Sequence, residues 1–376
     1  MGRRCLVLSA SMGAGHDAVA GELARRLRAD GHDVLVRDVL TLLPPGAGPA
    51  VRGFYRFVVR RLPPVYEAIY ALFLAPRPAP RPSRPSRSSR RGLDVTPMAA
   101  LAERKLGALV ARWRPDVIVS TFHLAGQITG RMRGRGALDV PCAVFVTDFA
   151  VHRAWLDPGN DLYLCVTETA ARAAREGTGR PAVATGPVVP PEFHKAEGLA
   201  PETDGRPVVL LSAGAWGVGP GLLRTAGALA RHGVAPVLLC GRDERLRRRA
   251  ARLPGVRALG WTDDMPGTMA SARVLVDNAA GQTAVQALAA GLPVVGHRPI
   301  PGHGAVGVRE MAAEGLTTYA AGLAGLLAAV DELARPGPAR DRRTAAGSAV
   351  FRADAARLVA DLAHRGGAQG GSKDPP

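Results

Sequence analysis

Short apolar runs that end in glycine or polar turns alternate along this chain with longer segments of helical period. Cys5–Ser9 reads as a buried strand. It opens into Ser11-Met-Gly13-Ala-Gly15-His16, an amphipathic helix runs on through Ala29, and Asp33–Arg37 returns to strand. The alternation recurs at Asp116–Ser120, Ala143–Thr147 and Asp161–Val166. After a polar, Pro-rich stretch it resumes at Val208–Ser212, Val237–Cys240, Val256–Gly260, Val274–Asp277 and Pro293–Gly296. Strands interleaved with helices in this way predict βαβ units and two doubly wound parallel sheets, which bind ligands at the carboxyl ends of their strands.

The most informative unit runs from Gly260 to Gly304. The strand Val274–Asp277 breaks at Asn278-Ala-Ala-Gly281, a helix follows from Gln282 to Ala290, and Gly291 occupies the position favoured just past a helix C-terminus. Free N–H groups near Gly281, Gln282 and Thr283 would point at one spot where the helix dipole favours an anion, and a diphosphate fits it. Gln286, one turn on, has an amide within reach of a ribose hydroxyl beside that phosphate. The plainer alternative is an ordinary packing unit. Polar strand ends in the first half, at His16, at Ser120-Thr121-Phe-His123 and at Thr147-Asp148 with His152 and Trp155, fall on one rim and together make a site. In the second half the turn Gly214-Ala-Trp216-Gly217-Val-Gly219 permits close approach of backbone to a phosphate or sugar. The first glycine turn lacks the third glycine of a dinucleotide fingerprint, because Asp17-Ala-Val stands there, and this disfavours a Rossmann dehydrogenase.

Composition refines the picture. A chain of 376 residues with 47% hydrophobic and 22% charged residues is globular and long enough for two domains. Its formal charge of +17 comes from 49 Lys+Arg, only three of them Lys, and favours anionic partners such as nucleotide sugars or acidic lipids. Cys5, Cys142, Cys165 and Cys240 stand singly in apolar runs and read as buried thiols. The apolar start is too short for a signal peptide and no run of eighteen apolar residues appears, so a cytoplasmic location is expected. Between Gly53 and Ala75 lie six of the chain's aromatics, Phe54, Tyr55, Phe57, Tyr66, Tyr70 and Phe73, interleaved with Arg52, Arg56, Arg60 and Arg61. Two short helices split at Pro63-Pro64 are expected there, suited to an anionic membrane interface or to packing on the first domain. Residues 76–92, with six arginines and no acid, read as a disordered loop that extends the basic surface over 52–92, with no nucleic-acid motif. The expected organisation is a first domain at 1–194, a linker at 195–206, a second domain at 207–343, one crossover helix at 344–365 and a disordered tail at 366–376.

Several motifs carry a family resemblance. They are Gly260-Trp261-Thr262-Asp263-Asp264-Met265; Gly281-Gln282-Thr283 followed by Ala287-Leu-Ala-Ala-Gly291-Leu-Pro-Val294; and Pro299-Ile-Pro301-Gly302-His303. The first half adds Ser11-Met-Gly13-Ala-Gly15-His16, Ser120 with His123, and Thr147-Asp148 with His152 and Trp155. In order and spacing the chain resembles the monogalactosyldiacylglycerol synthase-like UDP-sugar transferases of glycosyltransferase family 28. That resemblance implies a GT-B fold, inversion at the anomeric carbon, and a UDP-sugar as donor substrate with no cofactor and no metal. It implies a lipid acceptor, most simply diacylglycerol, and peripheral association with the inner face of the membrane. Donor contacts would come from Gly214, Gly217, Gly219, Gly260, Trp261, Met265, Gly281, Gln282, Thr283, Gln286 and His303, and the acceptor side from Gly13, Gly15, His123, His152 and Trp155. The catalytic base would be His16 or Asp148. The chain departs from the family pattern at Gln286, where a Glu is usual, at Ala280, where the first glycine is usual, and at Gly307-Val308, where Asn-Ala is frequent. Rival readings are a non-catalytic UDP or lipid binder, a transferase for a natural-product or cell-wall acceptor, and a nucleotide-sugar epimerase.

Overall fold

The computed structural model describes residues 2–75, 96–195 and 205–370. The expected loop at 76–92, the linker from 196 to 204 and the end of the tail, 371–376, lie outside the described residues. In the first half the chain runs β1 (Arg4–Ser9), α1 (Ala14–Ala29), β2 (Asp33–Asp38), α2 (Ala47–Arg61), α3 (Pro63–Ile69) and α4 (Thr96–Trp113). It continues through β3 (Val117–Ser120), α5 (His123–Gly134), β4 (Cys142–Val146), β5 (Leu162–Cys165), α6 (Glu168–Thr178), β6 (Ala182–Ala184) and α7 (Glu192–Lys195). The second half runs β7 (Val208–Ser212), α8 (Leu222–Arg231), β8 (Ala235–Leu239), α9 (Glu244–Ala250), β9 (Arg257–Leu259), α10 (Met265–Ala270) and β10 (Val274–Asp277). After these come α11 (Gln282–Ala289), β11 (Val294–His297), α12 (His303–Ala313), β12 (Thr317–Ala320), α13 (Leu323–Ala334), α14 (Pro338–Ser348) and α15 (Ala355–Gly370).

Each half forms a six-stranded parallel sheet, in the orders β2-β1-β3-β4-β5-β6 and β12-β11-β10-β7-β8-β9. Strands buried on both faces explain the unbroken apolar runs. Along β1, Cys5 and Val7 pack with Val19, Leu23 and Leu27 of α1, whereas Leu6 and Leu8 pack with Leu106 of α4 and Ile128 of α5. The strand order reverses between β1 and β3 in one sheet and between β7 and β10 in the other. At those two points the helices after adjacent strands leave on opposite faces and open a crevice. The crevice residues are therefore the segments after β1, β3, β7 and β10, which carry His16, His123, Gly214 and Gly281.

The single crossover helix expected over 344–365 is two helices. α14 stops at Ser348 and α15 starts at Ala355, where Asp354 accepts a hydrogen bond from the Ala356 N–H. The intervening residues serve the first domain: the N–H groups of Arg352 and Ala353 both donate to the Thr185 carbonyl, and a Cβ on Gly186 would collide with the Val350 carbonyl. α15 then lies on α1, with Ala355, Ala356, Val359, Ala360 and Ala363 in the core they share.

Two of the family departures touch each other. Ala280 has φ +52°, a conformation that disfavours a side chain, and its N–H and that of Ala279 donate to the buried Asp277 carboxylate at 2.6 and 2.9 Å. A Cβ on Gly307 would stand 3.0 Å from the Ala280 methyl. Glycine at 307 therefore makes room for alanine at 280. Denaturant titration is expected to show Gly307→Asn destabilising the protein by about 1–3 kcal/mol, as overpacking does. Added to Ala280→Gly, the same change should cost markedly less, giving a coupling of about 1 kcal/mol in the double-mutant cycle, and strict additivity would contradict the contact.

Candidate active site

Four helices begin at the crevice without a side-chain cap, three of them after glycine. α1 follows Gly13, α11 follows Gly281 and α12 follows Gly302, while α5 starts after the extended Phe122; none of the four has a capping side-chain hydrogen bond. The first-turn N–H groups are left for solvent or a ligand, and the four dipoles raise the potential in one region. Gly302 also has φ +74°, and a Cβ there would lie 3.0 Å from the Tyr66 ring.

Two cavities meet at this place. One, of about 400 Å³, has a polar floor of Gly13, Gly15, His16, His123, Thr147, Asp148, His152, Gly281, Gln282 and His303. The rest of its lining is largely apolar, with Leu40, Val51, Phe54, Val58, Ile69 and Leu74. The other, of about 630 Å³, is walled by Gly214, Gly260, Trp261, Met265, Gln282, Thr283 and Gln286. Gln282 belongs to both walls; its Nε2 donates to the Val188 carbonyl at 3.3 Å, and a Cβ on Gly15 would touch its Cβ at 3.4 Å. Arg242 stacks its guanidinium 3.9 Å from the centre of the half-exposed Trp261 ring at the rim of the larger cavity.

Hydrogen bonds define the protonation of the floor. His16 Nδ1 is 2.9 Å from the Thr121 carbonyl oxygen, an atom that only accepts, so the ring carries its proton on Nδ1 and keeps a lone pair on Nε2. Burial lowers the His16 pKa from its ordinary value, against the opposing pull of Asp148, and the imidazole is neutral at pH 7. Asp148 Oδ2 accepts from Trp155 Nε1 at 2.8 Å and stands 3.4 Å from His152 Nε2. Burial pushes its carboxyl up. The hydrogen bond with His152 and the imidazoles of His152, His303 and His16 outweigh that and hold Asp148 below the usual carboxylate range. Burial likewise lowers His123 and His303. Among the described residues His123 Nδ1 and His152 Nδ1 are buried without a hydrogen-bond partner, which leaves polar valence in the floor unfilled.

Three expected contacts lie elsewhere. Trp155 is 0% exposed and sits behind Asp148, so it orients that carboxylate and does not line the cavity. Gly217 and Gly219 do not line either cavity. The space a Cβ would need is taken by Asp243 at Gly217 and by the Asn278 amide at Gly219, so these glycines pack the loop on its own domain. Other participants come from the 53–75 segment, whose reach to the second domain the pattern of apolar and polar positions did not signal. Tyr66, Tyr70, Val58 and Val59 of the 53–75 segment are buried, and Phe54 and Phe57 of the same segment are 59% and 55% exposed. The segment spans the crevice: Arg60 pairs with Asp243, the Arg56 guanidinium lies 4.7 Å from the Trp216 ring, and Tyr66 Oη is 2.6 Å from His303 Nδ1. Among the described residues no group of three or more His, Cys, Asp or Glu could hold a metal ion, and no helix is long and apolar enough to cross a membrane.

Comparison with known proteins places this geometry. The family described as monogalactosyldiacylglycerol (MGDG) synthase matches residues 16–189. A protein of Bacillus subtilis (strain 168) named processive diacylglycerol beta-glucosyltransferase is 24% identical over 216 residues, which cover 54% of this chain and 56% of that one. A protein of the same name from Bacillus pumilus is 23% identical over 317 residues, 80% of this chain and 78% of the relative. In the first of these alignments the chain thus spans about half the length of the relative it matches. Among solved structures, that of MurG from Acinetobacter baumannii superposes with a TM-score of 0.59 at 15% identity, covering 97% of this chain and all of the other, a likeness of fold. The chain has the GT-B fold and, over residues 16–189, is similar to the monogalactosyldiacylglycerol synthase family.

Proposed function

We propose that the protein transfers a hexosyl group, with inversion, from a UDP-sugar to a lipid acceptor, most simply diacylglycerol, at an anionic membrane surface. One observation carries the reading: an uncapped helix start, α11, and an imidazole with a free Nε2, His16, face a junction of two cavities across the single side chain of Gln282. The larger cavity suits the nucleotide. Its backbone turn at Gly260-Trp261 would hold the base, Gln286 a ribose hydroxyl, and the N–H groups of Gln282 and Thr283 the diphosphate. The smaller cavity suits an acceptor with a hydroxyl at the polar floor and acyl chains leaving through the apolar mouth. The exposed Phe54 and Phe57, with the exposed Arg61 on the same helix, extend that mouth into a surface fitted to anionic lipid.

The geometry favours His16 over Asp148 as the base. Asp148 accepts from Trp155, contacts His152 and is held at low pKa, which makes it a poor acceptor of a hydroxyl proton. His16 is neutral, and its open nitrogen can take the proton as the acceptor oxygen attacks the anomeric carbon. The nearby Asp148 charge then stabilises the imidazolium, while the α11 N-terminus stabilises the departing UDP. A non-catalytic homologue would still use the uncapped helix start to bind UDP, but would have no reason to keep this base free.

UDP release measured across a panel of UDP-sugars, with and without vesicles of diacylglycerol and anionic phospholipid, tests the reading. Release that needs one sugar and the diacylglycerol together is expected; binding of UDP with no release from any combination would contradict it. For His16→Ala a fall in kcat of about 10²–10⁴-fold is expected, the usual range for loss of a general base. In the unsubstituted protein kcat/KM should be level near pH 7 and decline only below 6.5, because a histidine whose pKa is lowered stays neutral until the pH falls beneath its ordinary value. The same lowered histidines make the fold less stable as pH drops below 6.5, so circular dichroism at each pH separates loss of base from loss of structure.

A further inference from the structure

The cleft holds two neutral histidines whose Nδ1 atoms meet partners of opposite kind. For His16 the partner is a carbonyl, which accepts. For His303 it is the phenol of Tyr66, 237 residues away in sequence, with Oη 2.6 Å from Nδ1 and the two rings edge to face at 5.8 Å and 89°. Tyr66 is 5% exposed, and burial pushes its pKa up, so the phenol keeps its proton. A separation of 2.6 Å belongs to an O–H donor and is shorter than the usual range for an N–H donor. With Tyr66 as the donor, His303 Nδ1 accepts and the neutral ring carries its proton on Nε2. His303 is the first residue of α12, which starts against the turn that opens α11. A Cβ on Gly304 would lie 3.3 Å from the Asn278 carbonyl oxygen, and His303 lines the same cavity as Ala279, Ala280, Gly281 and Gln282.

We propose that Tyr66 is a positioning residue that fixes His303 as the Nε2–H tautomer, so that the cleft offers a bare nitrogen at His16 to the acceptor and an N–H at His303 to an oxygen of the donor's diphosphate. The inference rests on the transferase reading for the identity of that oxygen. The acceptor hydroxyl gives its proton to His16 Nε2 as its oxygen bonds to the anomeric carbon. The bond from that carbon to the diphosphate breaks, and its electron pair stays on the phosphate oxygen. The His303 N–H strengthens its hydrogen bond to that oxygen as charge develops, without giving up the proton. With the other tautomer a lone pair would face the same oxygen and repel it. The phenol comes from α3, whose neighbour α2 is tied to the second domain through Arg60 and Asp243, so the tautomer is correct only while this hairpin bridges the crevice.

The test is long-range ¹H–¹⁵N NMR of the histidine rings in the full chain at pH 7.5, with His303→Gln and His16→Gln used for assignment. In the unsubstituted protein His303 should show the Nε2–H pattern and His16 the Nδ1–H pattern. Tyr66→Phe keeps the ring and its packing, and should move His303 toward a mixture of tautomers while leaving His16 unchanged. It should also lower kcat about tenfold with little change in KM, as expected for one displaced hydrogen bond that matters in the transition state. Added UDP should shift the His303 Nε2 signal, and the shift should shrink in Tyr66→Phe. An Nδ1–H pattern at His303, or a Tyr66→Phe spectrum identical to that of the unsubstituted protein, would overturn the role of Tyr66. The expected tautomer without any response to UDP would overturn the diphosphate contact, and absence of UDP release from every donor would count against the transferase reading.

Discussion

The structure depends on helix starts that have no partner of their own. Unfilled N–H groups at the first turn of a helix raise the energy of the protein unless water or a ligand meets them. Here α1, α5, α11 and α12 all begin at one crevice with no capping side chain. The sheet order puts them there, because the strands that precede α1 and α5 flank one topological switch point and the strand that precedes α11 flanks the other. Both His16 and His303 lie in the first turn of such a helix, where the dipole opposes protonation and adds to the effect of burial. The same constraint thus prepares a seat for an anion and keeps the imidazoles beside it neutral.

The hairpin of α2 and α3 closes the arrangement. One of its faces is a wall of the smaller cavity and reaches the second domain through Arg56, Arg60 and Tyr66; Phe54 is exposed where that cavity opens, and Phe57 faces the exterior. The two readings of this segment from sequence, packing and interface, are therefore not exclusive. Its tyrosines pack and its phenylalanines stay outside, a division set by which residues fall on the inward stripe of each short helix.

Much of this is legible in the sequence. Apolar runs ending in Gly13, Gly214 and Gly281 marked the strand ends, and period and glycine placement are local properties of a sequence. The family motifs marked His16, His123, Asp148 and His152. What was hidden depends on contacts between distant segments. Tyr66 gains its meaning only from His303, and Trp155 looked like an acceptor contact until its indole was seen bonded behind Asp148. Gly217 and Gly219 carried the signature of ligand approach, yet what approaches them is Asp243 and Asn278. The departures at Ala280 and Gly307 looked like two losses and are one accommodation. Asp354, which starts α15 and splits the expected crossover helix, is a local cap signal that an unbroken amphipathic pattern obscured.

The central claim is that the uncapped start of α11 is the seat of the donor's diphosphate, and Gly281→Asp tests it most directly. Gly281 has extended backbone, and nothing lies within 4 Å of where its Cβ would be, so an aspartate fits without strain. Its carboxylate would cap α11 and put a negative charge where the diphosphate should bind. The variant is expected to be more stable to denaturant by about 0.5–2 kcal/mol, the ordinary gain from a helix cap, and to lose measurable UDP binding by calorimetry. UDP affinity unchanged in a stabilised variant would contradict the account.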